Sequence, residues 1–421
     1  MTDTVVLSKK VSISTDCAKT QRNNNICIVG TSGSGKSLSL IEPRLLKTYN
    51  TNLVVFDPKR ELVSRYKGMF EERGYAVKEL NLSNPTESDI SFDPLQFIAS
   101  EADVNILAQA IVNLTPQSEF SSADRYWNDC AAALGKFALY YVLSVKKEEE
   151  QNFATFLDLI SEMTIEDTGG LIKTSLDGAV EVVKQQNSQH PMLEPYNSFK
   201  VLPIKTAGCV FSTLRTTLAT VFNGQLKKMF REKTNFDIEQ FVKEKNVLFL
   251  TADGVDTYLN AFVNLIFEVM INQLFKCAEQ YPDKKLPIPV HFIMDDFACG
   301  AKMSSFPAQI SRFRSKGISS TIVLQSESQL KAIYRDYGAS TIMNNCDQLI
   351  YLGGNDLETA ENIAKRLDTP VKHVLSLPVG QVMIFRRGEQ PIVDERYPIF
   401  DDKDFQKLMK AKKTFLKLGV R

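Results

Sequence analysis

The chain has 421 residues, of which 43% are hydrophobic and 24% charged, a balance typical of soluble globular proteins rather than disordered or fibrous ones. Fifty basic residues balance fifty acidic residues, so a nucleic acid partner would have to be bound by a local groove or pore. The length favours two domains, or one domain with a large insertion.

Cysteine usage and hydropathy exclude further classes. The seven cysteines are odd in number and never spaced as C-x-x-C, which indicates reduced thiols in a cytoplasm. The three histidines lie far apart, so we expect no zinc site. No stretch approaches the roughly 18 consecutive apolar residues of a membrane helix, and the N-terminus lacks the apolar core of a signal peptide. We therefore expect a soluble chain.

The first motif in chain order is a glycine-rich loop that follows a short apolar strand. Alternation before residue 22 predicts a strand or hairpin, and Ile26–Val29 is predicted to be a buried strand. Residues 30–37 then read GTSGSGKS and match the phosphate-loop pattern G-x-x-x-x-G-K-[ST]. Lys36 would reach the β and γ phosphates, and the Ser37 hydroxyl would bind Mg²⁺. The alternative is an ordinary glycine-rich turn with a solvated lysine.

This match predicts that the chain binds ATP and Mg²⁺. Glycines in such a loop let the backbone N–H groups approach phosphate oxygens, and the following helix adds the positive end of its dipole. Ser37 is also a predicted metal ligand. The predicted nucleotide-binding residues are Gly30, Thr31, Ser32, Gly33, Ser34, Gly35, Lys36, Ser37 and Leu38.

After the loop, the pattern predicts a helix to about Thr48 and a buried strand over Asn52–Phe56 that ends at Asp57. From about residue 100 the apolar residues follow helical spacing, and no strand is predicted until well past residue 203. We therefore predict an all-α insertion over residues 100–205 in a nucleotide-binding domain made of residues 1–99 and 206–421. Aromatic residues at 126, 127, 137, 140 and 141 could stack on bases, although their spacing favours a core.

The second half of the chain contains five further apolar runs that predict strands. Buried strands that alternate with helices, with the phosphate loop after an early strand, indicate an α/β fold with a mostly parallel sheet covered on both faces. The predicted strands are Asn246–Thr251, Pro289–Met294, Ser320–Leu324, Gln348–Leu352 and Gln381–Phe385.

Two of these strands are followed by candidate catalytic residues. Asp295 and Asp296 follow the strand HFIM, and we assign Asp295 to the metal and Asp296 to the attacking water. The alternative is an acidic turn that caps a helix. Gln325 ends a neighbouring strand and could contact the γ-phosphate or the water. Arg314 lies in a basic helix end and could stabilise the γ-phosphate charge from the same or a neighbouring subunit, and the alternative is a solvated helix face.

These segments together resemble the type IV coupling proteins, which are TraG-type ATPases that feed DNA and relaxase into a conjugative type IV secretion channel. The resemblance extends from Leu7 to Ile392, and its later segments are more specific than the phosphate loop, which many ATPases share. It rests on GTSGSGKS, DPKRELVSRYKGMFEERGY, SFDPL, DRYWNDCAAALGKFALYY, FSTLRTTL, IMDDFACG, FRSKGISSTIVLQSESQL and NNCDQLIYLGGNDLETAENIAKRL.

The resemblance implies a RecA-like motor domain related to FtsK-type translocases, with an inserted all-α domain that inspects DNA or recognises relaxase. It also implies a homo-hexamer with nucleotide sites between subunits and single-stranded DNA in the central channel, although an isolated fragment could be monomeric. By motif, it assigns Lys36 and Ser37 to nucleotide and metal, and Asp295 and Asp296 to the acidic pair. Arg314 resembles the arginine supplied in trans, and Gln325 resembles the sensor.

Three positions or segments depart from the family pattern. The acidic pair is Asp-Asp where the family usually has Asp-Glu, which concerns the rate of hydrolysis more than nucleotide binding. Arg60 stands where the family commonly has glycine. Most relatives carry amino-terminal membrane helices, so we expect either a fragment whose anchor was removed, which we favour, or a chain that a partner subunit anchors. The expected location is the cytoplasm at the inner face of the cell membrane, beside other secretion subunits.

Three functions remain in competition at this point. The first is an ATP-driven DNA translocase that acts as the substrate receptor of a secretion channel. The second is a docking receptor for relaxase or effector proteins in which the nucleotide is only a slow switch, as the shortened acid at Asp296 suggests. The third is a chromosome-type translocase on duplex DNA.

Overall fold

A large sheet carries the predicted phosphate loop. A computed structural model describes residues 3–114, 122–222, 224–252, 257–297 and 302–417. Its strands, in chain order, are β1 Thr4–Val6, β2 Ser12–Ser14, β3 Ile26–Val29, β4 Asn52–Asp57, β5 Ala76–Asn81, β6 Ile165–Asp167, β7 Ile172–Thr174, β8 Asn246–Thr251, β9 Val290–Met294, β10 Ile318–Leu324, β11 Gln348–Tyr351, β12 Gln381–Arg386 and β13 Ile392–Glu395.

The described helices alternate with these strands. In chain order they are α1 Cys17–Thr20, α2 Glu42–Leu46, α3 Glu61–Glu72, α4 Glu101–Val112, α5 Ser122–Val145, α6 Phe153–Glu162, α7 Asp177–Gln186, α8 Leu193–Lys200, α9 Ile204–Val221, α10 Gly224–Arg231, α11 Ile238–Lys243, α12 Thr257–Glu279, α13 Phe306–Ile310, α14 Phe313–Lys316, α15 Glu327–Asn344, α16 Leu357–Leu367, α17 Val371–Leu375 and α18 Lys403–Lys417.

Within the described residues, nine strands form the main sheet in the order β13-β12-β11-β3-β10-β9-β4-β8-β5. The seven strands from β11 to β5 are parallel, and β12 and β13 continue the sheet as an antiparallel hairpin. The predicted mostly parallel α/β sheet is therefore confirmed. Of the two strands in this hairpin, β12 was predicted and β13 was not.

Alternating side chains of the buried strands face two separate apolar layers. In β3, Cys27 and Val29 belong to the layer that includes α12, α15 and the helices of the insertion, while Ile26 and Ile28 belong to the layer that includes α2, α3 and the N-terminal hairpin. Both faces of the central strands are thus buried, which is why these strands read as continuous apolar runs without polar alternation. The phosphate loop leaves this sheet from its most buried part.

Eight described helices, α4 to α11, lie between β5 and β8. The same segment contains a short antiparallel hairpin, β6–β7, where no strand was predicted. The turn residues close this hairpin: Gly169 and Gly170 have φ of 69° and 89°, and the Gly170 amide donates to Asp167 Oδ1.

Most of the aromatic residues considered for base stacking belong to the core. Phe137, Tyr140 and Tyr141 are buried, Trp127 is half-buried against the same layer, and only Tyr126 is exposed. In the described part of the chain, one helical segment, Tyr258–Glu279, is long and apolar enough to cross a membrane, and 83% of its apolar window is buried in the protein. This segment is the core helix α12.

The helix that follows the phosphate loop begins as a π-helix over Ser37–Ile41 and continues as α2. The cause is Pro43, which has no N–H to donate and whose ring would collide with the Ser39 carbonyl in a regular α-helix. The wider first turn places the Glu42 amide against the Ser37 carbonyl instead. The predicted helix is confirmed, with this local change.

Candidate functional site

Three loops meet at the carboxyl edge of the sheet. Strand β10 lies between β3 and β9 and is parallel to both, with Val29 opposite Leu324 and Met294 opposite Ile322. The residues that follow these strands therefore emerge side by side. This register brings the glycine-rich loop, Gln325 and the acidic pair to one edge, where parallel α/β sheets bind ligands.

The glycine-rich loop has the conformation of a phosphate cradle. Gly33 and Gly35 have φ of 73° and 80°, a region that favours glycine. The ammonium group of Lys36 lies across the loop and donates hydrogen bonds to the carbonyls of Gly30 at 2.6 Å and Thr31 at 3.0 Å. These bonds hold the cation at the mouth of the loop, where a phosphate would meet it.

The loop is anchored to both neighbouring strands. The Gly30 amide donates to the Leu324 carbonyl at 3.1 Å, and the Thr31 amide donates to the Gly353 carbonyl at 3.2 Å. Gly353 is the second residue after β11 and has a φ of 91°, a conformation that also favours glycine. The predicted binding residues that remain exposed at the rim are Ser32, Gly33, Ser37 and Leu38.

The cradle fits a nucleotide phosphate. The hydroxyl of Ser34 is buried and makes no hydrogen bond within the described residues, so a polar ligand would satisfy it. A side chain at Gly30 would place its Cβ 2.7 Å from Ser34 Oγ and 3.1 Å from Leu352 Cβ, so the tight turn leaves no room there. The exposed hydroxyl of Ser37 is an oxygen ligand of the kind that Mg²⁺ prefers.

The two carboxylates after β9 are half-buried and adjacent to the loop. Burial and the neighbouring Asp296 charge raise the pKa of Asp295 to about 6, while a hydrogen bond from the Asp296 amide and the charge of Lys36 act in the opposite direction. Lys36 and Asp295 thus interact electrostatically across the cleft. Asp296 has a φ of 50°, which turns the chain sharply after the strand.

Gln325 follows β10 and lies between the phosphate loop and the acidic pair. Gln325 is exposed, and its backbone amide donates a hydrogen bond to Gln329 Oε1 at 3.4 Å. The side chain is therefore at the same edge as Lys36 and Asp295.

The fifth predicted catalytic residue is at the opposite edge of the sheet. Arg314 lies in α14, which precedes β10, and its Nη2 donates to the Cys17 carbonyl at 3.3 Å. The seven residues of β10 separate the two edges by roughly 20 Å at ~3.3 Å per residue. Arg314 therefore lies far from the phosphate loop of its own chain in this structure, which disfavours the interpretation in which it acts in the same subunit.

The acid that ends β4, Asp57, has a capping function. Asp57 accepts hydrogen bonds from the amides of Glu61 at 3.2 Å and Val63 at 2.9 Å, and so it begins helix α3. Arg60, which occupies a position where glycine is common, has a φ of 54°. Its guanidinium holds Glu79 with hydrogen bonds of 2.7 and 3.1 Å, which offsets the strained backbone.

Comparison with known proteins assigns the family. A family model described as "Type IV secretory system Conjugative DNA transfer" matches residues 4–371. The chain belongs to this family. A search of curated proteins by sequence gave no match.

Solved structures related to this conjugative DNA transfer family share the fold. The coupling protein TrwB without its first 70 residues, in complex with sulphate, has a TM-score of 0.66 at 16% identity, covering 88% of this chain and 85% of TrwB. A TrwB complex with ADP and Mg²⁺ gives 0.65 at 15% identity, covering 88% and 85%. VirB4 of Thermoanaerobacter pseudethanolicus gives 0.59 at 13% identity, covering 94% and 96%. The chain has the RecA-like P-loop NTPase fold with a helical insertion.

Two features of this family member's site were missed in the sequence. The Gly353–Gly354 pair packs on the phosphate loop, and a Cβ on Gly354 would lie 3.3 Å from Thr31 Cγ2. Two glycines directly after a buried strand were the available signal. The other is Arg396, which lies beside Gly35 and has no distinctive local pattern around it.

Proposed function

We propose that the chain is a type IV coupling ATPase that recruits relaxase-bound DNA and drives its transfer into a conjugative secretion channel. The observation that carries the proposal is the order of strands β3, β10 and β9, which brings the lysine-bearing loop and the twin aspartates to one edge. The family match supports the conjugative function. The TrwB complexes with ADP and Mg²⁺ and with an ATP analogue support the choice of ATP and Mg²⁺ as ligands.

In this proposal each residue of the edge has a separate task. Lys36 binds the β and γ phosphates, and Ser37 and Asp295 hold Mg²⁺, which would neutralise charge that develops on the phosphates. Asp296 orients or deprotonates the attacking water, and Gln325 contacts the γ-phosphate or that water. Deprotonated carboxylates are needed for both acidic roles, and the proximity of Lys36 to Asp295 favours that state.

Arg314 would stabilise phosphate charge in the site of a neighbouring subunit. Its place at the far edge of its own sheet supports supply in trans, provided that the proposed ring sets the amino edge of one sheet against the carboxyl edge of the next. We therefore propose a homo-hexamer as the active form, with a monomer as the isolated state when DNA and an anchor are lacking. Single-stranded DNA would pass through the central channel.

The helical insertion would inspect DNA or recognise relaxase. We propose the domain limits 1–99 and 206–421 for the motor and 100–205 for the insertion. The protein would work in the cytoplasm at the inner face of the cell membrane, in contact with other type IV secretion subunits. The family match supports this location and these partners.

The test is ATP hydrolysis by the purified chain, measured across a range of protein concentrations with and without single-stranded DNA. A translocating ring should show hydrolysis that rises more steeply than protein concentration and is stimulated by DNA. A rate per subunit that is independent of both concentration and DNA would contradict the proposal. A variant with Lys36→Ala provides the background rate.

The docking receptor is the second candidate, and the shorter acid at Asp296 favours it. A receptor of this kind would bind relaxase in a nucleotide-dependent manner while hydrolysing ATP slowly and without response to DNA.

A translocase on chromosomal duplex DNA is the third candidate. Deletion of the gene should then impair chromosome segregation, whereas a coupling protein should be needed only for conjugation.

A further inference from the structure

Arg396 directly follows β13, the last strand of the sheet in chain order, and lies at the phosphate loop. The antiparallel hairpin sets Glu395 of β13 opposite Gln381 of β12, and Met383 opposite Tyr351 of β11. Because β12 runs against β11, the end of β13 returns to the carboxyl edge. The residue after β13 therefore emerges beside the nucleotide cleft.

Backbone carbonyls aim the guanidinium of Arg396. Its Nε donates to the Gln381 carbonyl at 3.3 Å and its Nη2 to the Leu352 carbonyl at 3.1 Å. Leu352 is itself bonded to the sheet, since its amide donates to the Val29 carbonyl at 2.9 Å, one residue before the loop. The guanidinium plane is thus held by two rigid strand ends.

The third nitrogen of this guanidinium points at the cradle. Nη1 lies 3.1 Å from the position that a Cβ on Gly35 would occupy. Gly35 directly precedes Lys36, and a side chain at this position would crowd the arginine and push its guanidinium away from the loop. The lack of a side chain at Gly35 therefore serves both the positive φ and the close approach of a second cation.

Arg396 has no acidic partner among the described residues, and Nη1 makes no hydrogen bond there. The two other arginines of the hairpin are paired, Arg386 with Glu389 at 2.6 Å and Arg387 with Asp347 at 2.8 Å. Arg396 is half-buried, and burial lowers its pKa without any carboxylate to compensate. A partly buried cation without a counter-ion is costly unless an anionic ligand binds beside it.

We propose that Arg396 binds the phosphate chain of the nucleotide held in its own subunit, as a second cation beside Lys36. This inference rests on the proposed nucleotide site and adds a residue beyond the 4–371 segment that the family model matches. The C-terminal hairpin then completes the site in cis, while Arg314 would serve the neighbouring subunit. Arginine suits this role because its planar fork can donate to a phosphate while two of its nitrogens keep their carbonyl partners.

The experiment is a titration of the full chain with a fluorescent ADP analogue in the presence of Mg²⁺. The decisive variant is Arg396→Gln, which removes the charge but keeps a side-chain amide that can donate to the carbonyls. We expect a Kd raised about tenfold or more in Arg396→Gln and less in Arg396→Lys. The matched control is Arg386→Ala on the same hairpin at the opposite edge, which should bind as the wild type does.

The outcomes separate this inference from the function on which it rests. If the wild type and Arg386→Ala bind the analogue, Lys36→Ala does not, and Arg396→Gln binds with wild-type affinity, the nucleotide site stands and the assignment of Arg396 is overturned. If the wild type does not bind nucleotide, the proposed function itself fails. The unfolding temperature without nucleotide shows whether each variant is folded, and a purely structural Arg396 would change that temperature while leaving affinity intact in Arg396→Gln.

Discussion

The backbone amide of Phe153 donates a hydrogen bond of 3.1 Å to Oδ1 of Asp93. The same carboxylate oxygen accepts from the amide of Leu95 at 2.9 Å and caps the short 3₁₀ helix Pro94–Phe97. Phe153 is the first residue of helix α6, so one buried acid joins the segment that follows β5 to this helix. Burial raises the pKa of Asp93 to about 7, and the two amide bonds only partly oppose that shift.

Replacement of Asp93 by asparagine should change how stability depends on pH. Folding raises the pKa of this acid from 3.8 to about 7, so the folded protein favours the protonated carboxyl. The stabilisation that this group gives the fold is fully present below pH 3.8 and is lost as pH rises through about 7. Asparagine keeps an oxygen acceptor for both amides and carries no charge. As pH rises from 5 to 8, we expect the free energy of unfolding of the wild type to fall by about 1–3 kcal/mol more than that of Asp93→Asn.

Urea unfolding at the two pH values measures this difference. The control is Asp283→Asn, which alters an exposed loop residue and should give a pH dependence parallel to that of the wild type. Parallel curves for Asp93→Asn and wild type would show that Asp93 is not the buried titrating group.

Lys36→Ala should abolish ATP hydrolysis, with a loss of at least ~10²-fold, because the variant removes a cation from developing phosphate charge. Phosphate release in single-turnover conditions is the measurement. The control is Lys67→Ala, which removes a half-exposed lysine of α3 that pairs with Asp89. Wild-type turnover in Lys36→Ala would refute the site.

Arg314→Ala should leave nucleotide affinity nearly unchanged and slow hydrolysis by about 10³-fold, the scale of other arginines supplied in trans. Mixtures of Arg314→Ala and Lys36→Ala chains should recover some activity, because one chain offers an intact cradle and the other an intact arginine. Arg312→Ala, whose guanidinium lies over Phe275 at 5.1 Å, is the neighbouring control. Mixtures as inactive as their components would argue against supply in trans.

Asp296→Glu should speed hydrolysis, since the added methylene extends the carboxylate towards the attacking water. We expect about tenfold in the rate, which corresponds to ~1.4 kcal/mol in the barrier, with little change in nucleotide affinity. Asp296→Asn should lower the rate and serves as the opposite control. A slower Asp296→Glu enzyme would mean that the residue's φ of 50° does not accommodate the longer acid.

Gly30→Ala should weaken both folding and nucleotide binding, because its Cβ would meet Ser34 Oγ at 2.7 Å. We expect a loss of about 1–3 kcal/mol in stability from this overpacking. Adding Ser34→Gly removes the nearest clashing atom and should restore part of that stability, which thermal unfolding can show. Gly178→Ala, at a helical position with open space around it, should cost nothing. Equal losses with and without Ser34→Gly would place the clash elsewhere.

Local patterns in the sequence were sufficient for most individual elements of the motor. Strands Ile26–Val29 and Asn246–Thr251 have the predicted bounds. These elements depend on short-range spacing of apolar residues and on turn residues at their ends, which the sequence displays directly. The hairpin β6–β7 was missed because each of its strands has only three residues.

The sequence by itself determined the phosphate loop, the acidic pair and the family, since each is a contiguous segment whose residue types declare its chemistry. Only the tertiary structure decided that Gln325 lies between them, that Arg314 lies at the opposite edge and that Arg396 lies beside Gly35. The physical reason is that strand order and direction come from pairing between distant segments. The edge of the sheet at which a residue emerges follows from that pairing and from no pattern of its neighbours in the chain.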